Sequence, residues 1–144
     1  TTLRAIDEHN RTSPHLIRYL GEIPHGESLA RIAASDVCIC ILNQEILNYR
    51  FAYPIKVLEY IALGKPIIAS DTPAIREILD ESGALLIENE IPSLKSALAT
   101  IIHMKTTGVL EEAGKGIGMI AARYQWDDIN RRILAGVDEI FPPG

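Results

Sequence analysis

The chain has 144 residues, 47% of them apolar and 23% charged, which suits one globular domain with a real core rather than a disordered segment. Fourteen Lys and Arg against nineteen Asp and Glu give a formal net charge of −5. That argues against a duplex-binding or polybasic membrane-surface protein, which would carry a basic patch. The longest apolar stretches run about six residues, against roughly 18 to 20 for a membrane span, and no secretory leader is visible, so a cytoplasmic location is expected.

The elements follow in chain order. Leu3 to Asn10 has helical character, broken at Arg11-Thr12-Ser13-Pro14. Leu16 to Leu20 reads as a short strand closed by Gly21, and Ser28 to Ala34 as a helix with Leu29, Ile32 and Ala33 on one face. Val37 to Leu42 is a continuous apolar run, as in a buried strand of a parallel sheet. Asn43 to Tyr53 reads as a loop. Pro54 opens a helix to about Leu63 and Gly64 closes it, proline at the start and glycine just past the end. The unit then recurs: strand Pro66 to Ser70, helix Ala74 to Asp80, strand Ala84 to Ile87, helix Pro92 to His103. Leu110 to Tyr124 and Trp126 to Ile140 read as two last helices. Alternating strand and helix predicts an α/β fold, an open parallel sheet with helices on both faces, over a single domain of residues 1–144. Four strands are few for such a sheet, and none follows Ile87. With the chain opening at Thr1, an incomplete sheet whose first βα units lie upstream is expected.

Several features are weighed and set aside. Cys38 and Cys40, two apart, would share one strand face as small core residues, as in a reducing cytosol; a bridge between them would be strained. With no second cysteine pair or matched histidine pair, no metal site is expected. His9, His15 and His103 read as surface residues, while His25 follows the expected strand end where open α/β sheets bind ligands. Gly114-Lys-Gly116-Ile-Gly118 lacks the third glycine of a dinucleotide fingerprint, since position 119 is Met119, and it follows helical sequence. Gly108 to Lys115 is one residue too long for a P-loop. These glycines are read as relaxing helix packing.

The helix opened by Pro54 is the informative stretch. Tyr53 before it has no side-chain oxygen suited to capping, so the first amides, at Ile55, Lys56 and Val57, are left for another acceptor. A helix amino end after a buried strand suits an anion, and phosphate is its common occupant. Lys56 puts a cation in the first turn, against the helix dipole, where it serves an anionic ligand or is merely solvated. Glu59 lies five residues past Pro54, about 7 to 8 Å along the axis at ~1.5 Å per residue. That matches the distance from a nucleotide's phosphates to its ribose, whose two hydroxyls a carboxylate accepts together. A pair between Glu59 and Lys56 is the plain alternative.

Tyr53-Pro-Ile-Lys-Val-Leu-Glu59-Tyr60-Ile-Ala62-Leu-Gly64-Lys-Pro66-Ile-Ile-Ala69-Ser70-Asp71, with Pro73 and Ile75-Arg-Glu77-Ile78 after it, resembles the C-terminal domain of family-4 glycosyltransferases. Tyr19-Leu-Gly21-Glu-Ile-Pro24, Ala33-Ala-Ser35-Asp36-Val37 and Tyr124-Gln-Trp126 extend the resemblance in order over nearly the whole chain. It implies retaining enzymes of the GT-B architecture, two Rossmann-like domains of which this one holds a nucleotide-diphosphate sugar without a metal or other cofactor. Glu59 matches the second glutamate of the family's E-x7-E motif, which holds the ribose hydroxyls. Pro54, Ile55 and Lys56 match the stretch over the phosphates, Gly21 a loop near base and phosphates, and Glu77 a glutamate read as structural. Phe51 stands where the first motif glutamate, a donor-sugar contact, is expected. Some subfamilies with a Pro-x-Lys-x-x-Glu-Tyr motif also lack it, and this chain resembles them.

The function implied is sugar transfer from a nucleotide donor to an unidentified acceptor chosen by an N-terminal domain, in a parent that can associate with membranes. A non-catalytic α/β binding or regulatory module with a vestigial nucleotide site is the alternative, which Phe51 favours slightly. A third is another GT-B enzyme such as a sugar-nucleotide epimerase. No nucleic-acid partner is expected.

Overall fold

The computed structural model describes residues 2–79 and 82–140. The chain divides into two compact units, Thr1–Ala30 and Arg31–Gly144, each described by itself. In the first, α1 (Thr2–Thr12) ends where Ser13 N–H reaches the His9 carbonyl at 2.9 Å, one residue before Pro14. Leu16 to Leu20 is not the expected strand. The Asn10 side chain donates to the Ile17 carbonyl and accepts from the Ile17 amide, both at 2.8 Å, the two bonds a neighbouring strand would make. Leu16 and Tyr19 stay largely exposed. The helix expected from Ser28 begins three residues earlier, as α2 (His25–Ala34).

The second unit runs β1 (Cys38–Cys40), α3 (Leu47–Phe51), α4 (Ile55–Ala62), β2 (Ile67–Ser70), α5 (Pro73–Leu79), β3 (Leu85–Ile87), α6 (Ile91–Thr106), α7 (Leu110–Met119), a 3₁₀ turn (Ile120–Tyr124) and α8 (Trp126–Ile140). Among the described residues three strands, against four expected, form one parallel sheet in the order β1-β2-β3, with Cys38 beside Ile67 and Ile68 beside Leu85. Alternate side chains point to opposite faces. Cys38, Cys40, Ile67 and Ala69 join Val57, Tyr60 and Ile61 of α4, Ile75 and Ile78 of α5, and Ile117 of α7 in one core. On the other face Ile68 and Ile87 pack with Ala97 and Ile101 of α6. Helices therefore cover both faces of the open sheet. Cys38 and Cys40 are buried, free thiols on the same face. No described helix is long and apolar enough to cross a membrane.

Three expectations in this unit are corrected. The loop from Asn43 to Tyr53 contains α3, five residues too short to carry start and stop signals of its own. Pro54 is the N-cap of α4, with extended ψ of 118°, rather than its first helical residue; helical geometry starts at Ile55. Leu110 to Tyr124 is helical throughout but tightens to 3₁₀ from Ile120. The last residue expected in α5, Asp80, lies outside the described residues.

The carboxyl end of α4 closes as the sequence pattern demands. Gly64 N–H bonds the Ile61 carbonyl and Lys65 N–H the Tyr60 carbonyl, both at 3.0 Å, a Schellman close with Gly64 at φ +58°. Against it lies Gly114 in the middle of α7. A Cβ there would stand 2.4 Å from the Gly64 carbonyl oxygen and 3.2 Å from Pro66 Cδ. The glycine that resembles part of a nucleotide fingerprint is thus a packing glycine: it lets one helix touch the backbone that ends another.

Candidate functional site

In an open parallel sheet, ligands bind beyond the carboxyl ends of the strands. Here those ends are tied together by side chains. Leu42, two residues past β1, donates its amide to Ser70 Oγ at 2.8 Å, and Asn89 Nδ2 donates to the Leu42 carbonyl. Ser70 Oγ in turn donates to Asn89 Oδ1 at 2.6 Å. Ser70 is fully buried and Asn89 lies two residues past β3, so two side chains continue the ladder where the strands have stopped. Gln44 adds a 3.4 Å bond to the Asp71 carbonyl. The result is a fixed rim from which the segment carrying α3 and α4 departs.

On that segment α4 begins with no side-chain cap at Pro54. Val57 N–H is taken by the Pro54 carbonyl at 2.9 Å, so of the three amides expected to be open, Ile55 and Lys56 keep that role and Val57 does not. Ile55 is 72% exposed, and Lys56 is exposed too. The Cys40 thiol, at the end of β1, is pushed up by burial and pulled partly back by the Lys56 ammonium.

One turn along, half-buried Glu59 lines a cleft of about 410 Å³ with Ile55, Leu58, Ala121, Tyr124 and Gln125. Burial raises the Tyr124 hydroxyl, helped by the Glu77 carboxylate and opposed by Arg123 and Arg132. Pro54, Ile55, Lys56 and Glu59 are thus gathered on one helix. Phe51 ends α3, 59% exposed, with the Arg50 guanidinium 5.9 Å from its ring centre, and no carboxylate of its own. Gly21 belongs to the first unit, at φ +66°, with nothing within 4 Å of where a Cβ would sit. His25 is the first residue of α2.

Ser70, Asn89 and a bond between Tyr53 and Glu77 take part as well. Ser70 stood at the end of an expected strand, a signal that was available. The pairing of Asn89 with it, and the hydrogen bond from Tyr53 Oη to Glu77 Oε2 at 2.5 Å, join residues 19 and 24 apart and leave no local signature. The last gives Glu77, expected to be structural, a definite partner.

A different cleft, about 380 Å³, opens by the strands' amino ends between Asp36, Lys65, Lys105 and Glu111. Lys105 pairs with Asp36 at 2.6 Å and Lys65 bonds the Ser35 carbonyl at 3.2 Å, so its cations already serve the fold. Among the described residues, no group of three or more His, Cys, Asp or Glu stands close enough to hold a metal ion.

Residues 2–104 match the family described as Glycosyl transferases group 1. The chain belongs to that family. It is also similar to a phosphatidyl-myo-inositol mannosyltransferase of Mycobacterium leprae (strain TN), 27% identical over 132 residues. That match covers 89% of this chain and 33% of the relative, so the chain spans about a third of the length of the curated relative it matches.

Proposed function

We propose that this glycosyltransferase chain is the C-terminal, donor-binding domain of a family-4, retaining GT-B enzyme, and that it binds a nucleotide-diphosphate sugar at the amino end of α4. The observation that carries the reading is the uncapped start of α4 beyond the carboxyl edge of a parallel sheet, with Glu59 one turn further along. The diphosphate meets the amides of Ile55 and Lys56 and the Lys56 ammonium, where the helix dipole favours negative charge. Glu59 accepts the two ribose hydroxyls. Leaving-group charge at the diphosphate is stabilised by these fixed dipoles, and the transfer itself is a matter of positioning. The charge match is supplied by the chain, so binding is proposed to be independent of divalent cations. The acceptor is bound by a further domain of the same protein, and the enzyme works in the cytoplasm, apposed to a membrane if its acceptor is there.

Calorimetric titration of the full chain with UDP, GDP, ADP, CDP and dTDP, with and without EDTA, tests this. One diphosphate binds, unaffected by EDTA, and Glu59→Ala weakens it about tenfold, roughly 1.4 kcal/mol. Unchanged binding in Glu59→Ala removes the ribose role. The relative's name adds a mannosyl donor to the panel. A non-catalytic module with a vestigial site is the second reading, favoured by Phe51 where a sugar-contacting carboxylate is expected. It is upheld if the full-length protein binds a nucleotide but neither transfers nor hydrolyses any nucleotide sugar.

A further inference from the structure

We infer that Glu77 is a positioning residue for the proposed diphosphate site: by holding Tyr53 it fixes the link that sets the amino end of α4 relative to α3. The inference rests on the donor-site reading above. Ala52 and Pro54 are both extended, at φ −74°, ψ 138° and φ −72°, ψ 118°. The Ala52 amide still belongs to α3, bonding the Asn48 carbonyl, and the Pro54 carbonyl already belongs to α4, accepting from Val57. Tyr53 is the residue between the two helices.

Burial does little to hold Tyr53, which is 48% exposed. Its hydroxyl holds it instead, donating to Glu77 Oε2 at 2.5 Å, the short range of an O–H donor on a carboxylate. The same bond raises the Tyr53 hydroxyl above its ordinary acidity range. Glu77 is a firm anchor because α5 is. Ala74, Ile75, Ile78 and Leu79 are buried, Thr72 Oγ1 accepts the Ile75 amide at 3.3 Å, and Arg76 pairs with Asp71. Val57 ties the first turn of α4 to the core by burial, and the bond from Tyr53 to Glu77 ties the link just before that turn to α5. Glu77 also acts electrostatically on Tyr124, which lines the Glu59 cleft.

Releasing this bond frees Tyr53 and leaves the approach to the Ile55 and Lys56 amides held on the Val57 side alone, so their aim at the diphosphate loosens. Using whichever nucleoside diphosphate of the panel the unaltered chain binds, Glu77→Ala and Tyr53→Phe each weaken binding about fivefold, and the double variant is no worse than either, as for two halves of one interaction. Glu77→Gln, which still offers an oxygen to the Tyr53 hydroxyl, restores most of the affinity. The unfolding midpoint moves little in all four variants, because both side chains lie at the surface. Wild-type affinity in Glu77→Ala, losses that add in the double variant, or no recovery in Glu77→Gln overturns the positioning role while the donor site stands. No binding by the unaltered chain brings down the donor site and this inference with it.

Discussion

At its carboxyl end α4 is locked, with Gly64 wound into a Schellman close and the backbone of Gly114 pressed against it. Its amino end has Pro54 for a cap, no side chain on its first amides and an exposed Ile55. Eight residues separate a junction that tolerates no added atom from one with no side-chain cap. The difference teaches how a fold makes a site. Close packing at one end fixes the axis of the helix, and only then can unsatisfied groups at the other be aimed at anything. Three substitutions taken from the locked end to the open one, two of them with a control, break or sharpen this contrast.

The largest effect belongs to the locked end. Gly114→Ala places a methyl 2.4 Å from a backbone oxygen, which no side-chain rotation relieves. It costs about 3 kcal/mol or more, read as a fall in urea midpoint. Gly116→Ala, two residues on in the same helix, meets nothing closer than 3.7 Å. It is neutral or gains about 0.5 to 1 kcal/mol from better helix propensity. Equal losses at the two positions would mean that the glycines serve something other than close approach.

The middle of α4 gives a pH effect. Tyr60 is 8% exposed, and burial first, then the neighbouring charges of Cys38, Cys40 and Glu59, push its hydroxyl up to about 12 from near 10. Between those values the unfolded chain releases a proton that the folded chain keeps. The tyrosine's contribution to stability is therefore full below about pH 10 and falls as pH rises toward 12, by roughly 2 to 3 kcal/mol. The thiols of Cys38 and Cys40, raised by burial from near 9, begin the decline earlier. Tyr60→Phe removes the tyrosine's part of the slope. Denaturant unfolding at pH 9, 10 and 11 reads it, and an unchanged slope in Tyr60→Phe assigns the decline to the thiols.

What the sequence made legible follows the range of each interaction. The apolar runs at Val37 and Pro66, and the proline and glycine bracketing α4, are local signals, and β1, β2 and α4 lie where they point. Leu16 to Leu20 has a strand's composition, but a strand also needs a partner, and the Asn10 amide supplies one residue's worth of it. α3 was too short to leave a pattern. Of the candidate site, the placing of Lys56 and Glu59 on one helix is legible because helical spacing alone sets it. Ser70 with Asn89, and Tyr53 with Glu77, are pairings made only by the crossover between strands.

The smallest effect on stability, and the most informative at the open end, is expected from Ile55→Pro. Ile55 is the first helical residue, where proline is favoured: its ring fixes the φ that the helix needs, and the amide it removes has no partner within the helix. The residue before a proline is driven to extended geometry, and Pro54 already has it at ψ 118°. The fold should accept the change within about 0.5 kcal/mol. What disappears is one N–H aimed beyond the end of the helix. If that amide binds the diphosphate, affinity falls about tenfold while the unfolding midpoint stays, a separation that a packing role cannot produce. Ile55→Ala controls for the side chain, which lines the Glu59 cleft: it keeps the amide and most of the affinity. If both variants bind as the unaltered chain does, the open end of α4 is bare surface, and the contrast between its two ends is one of packing alone.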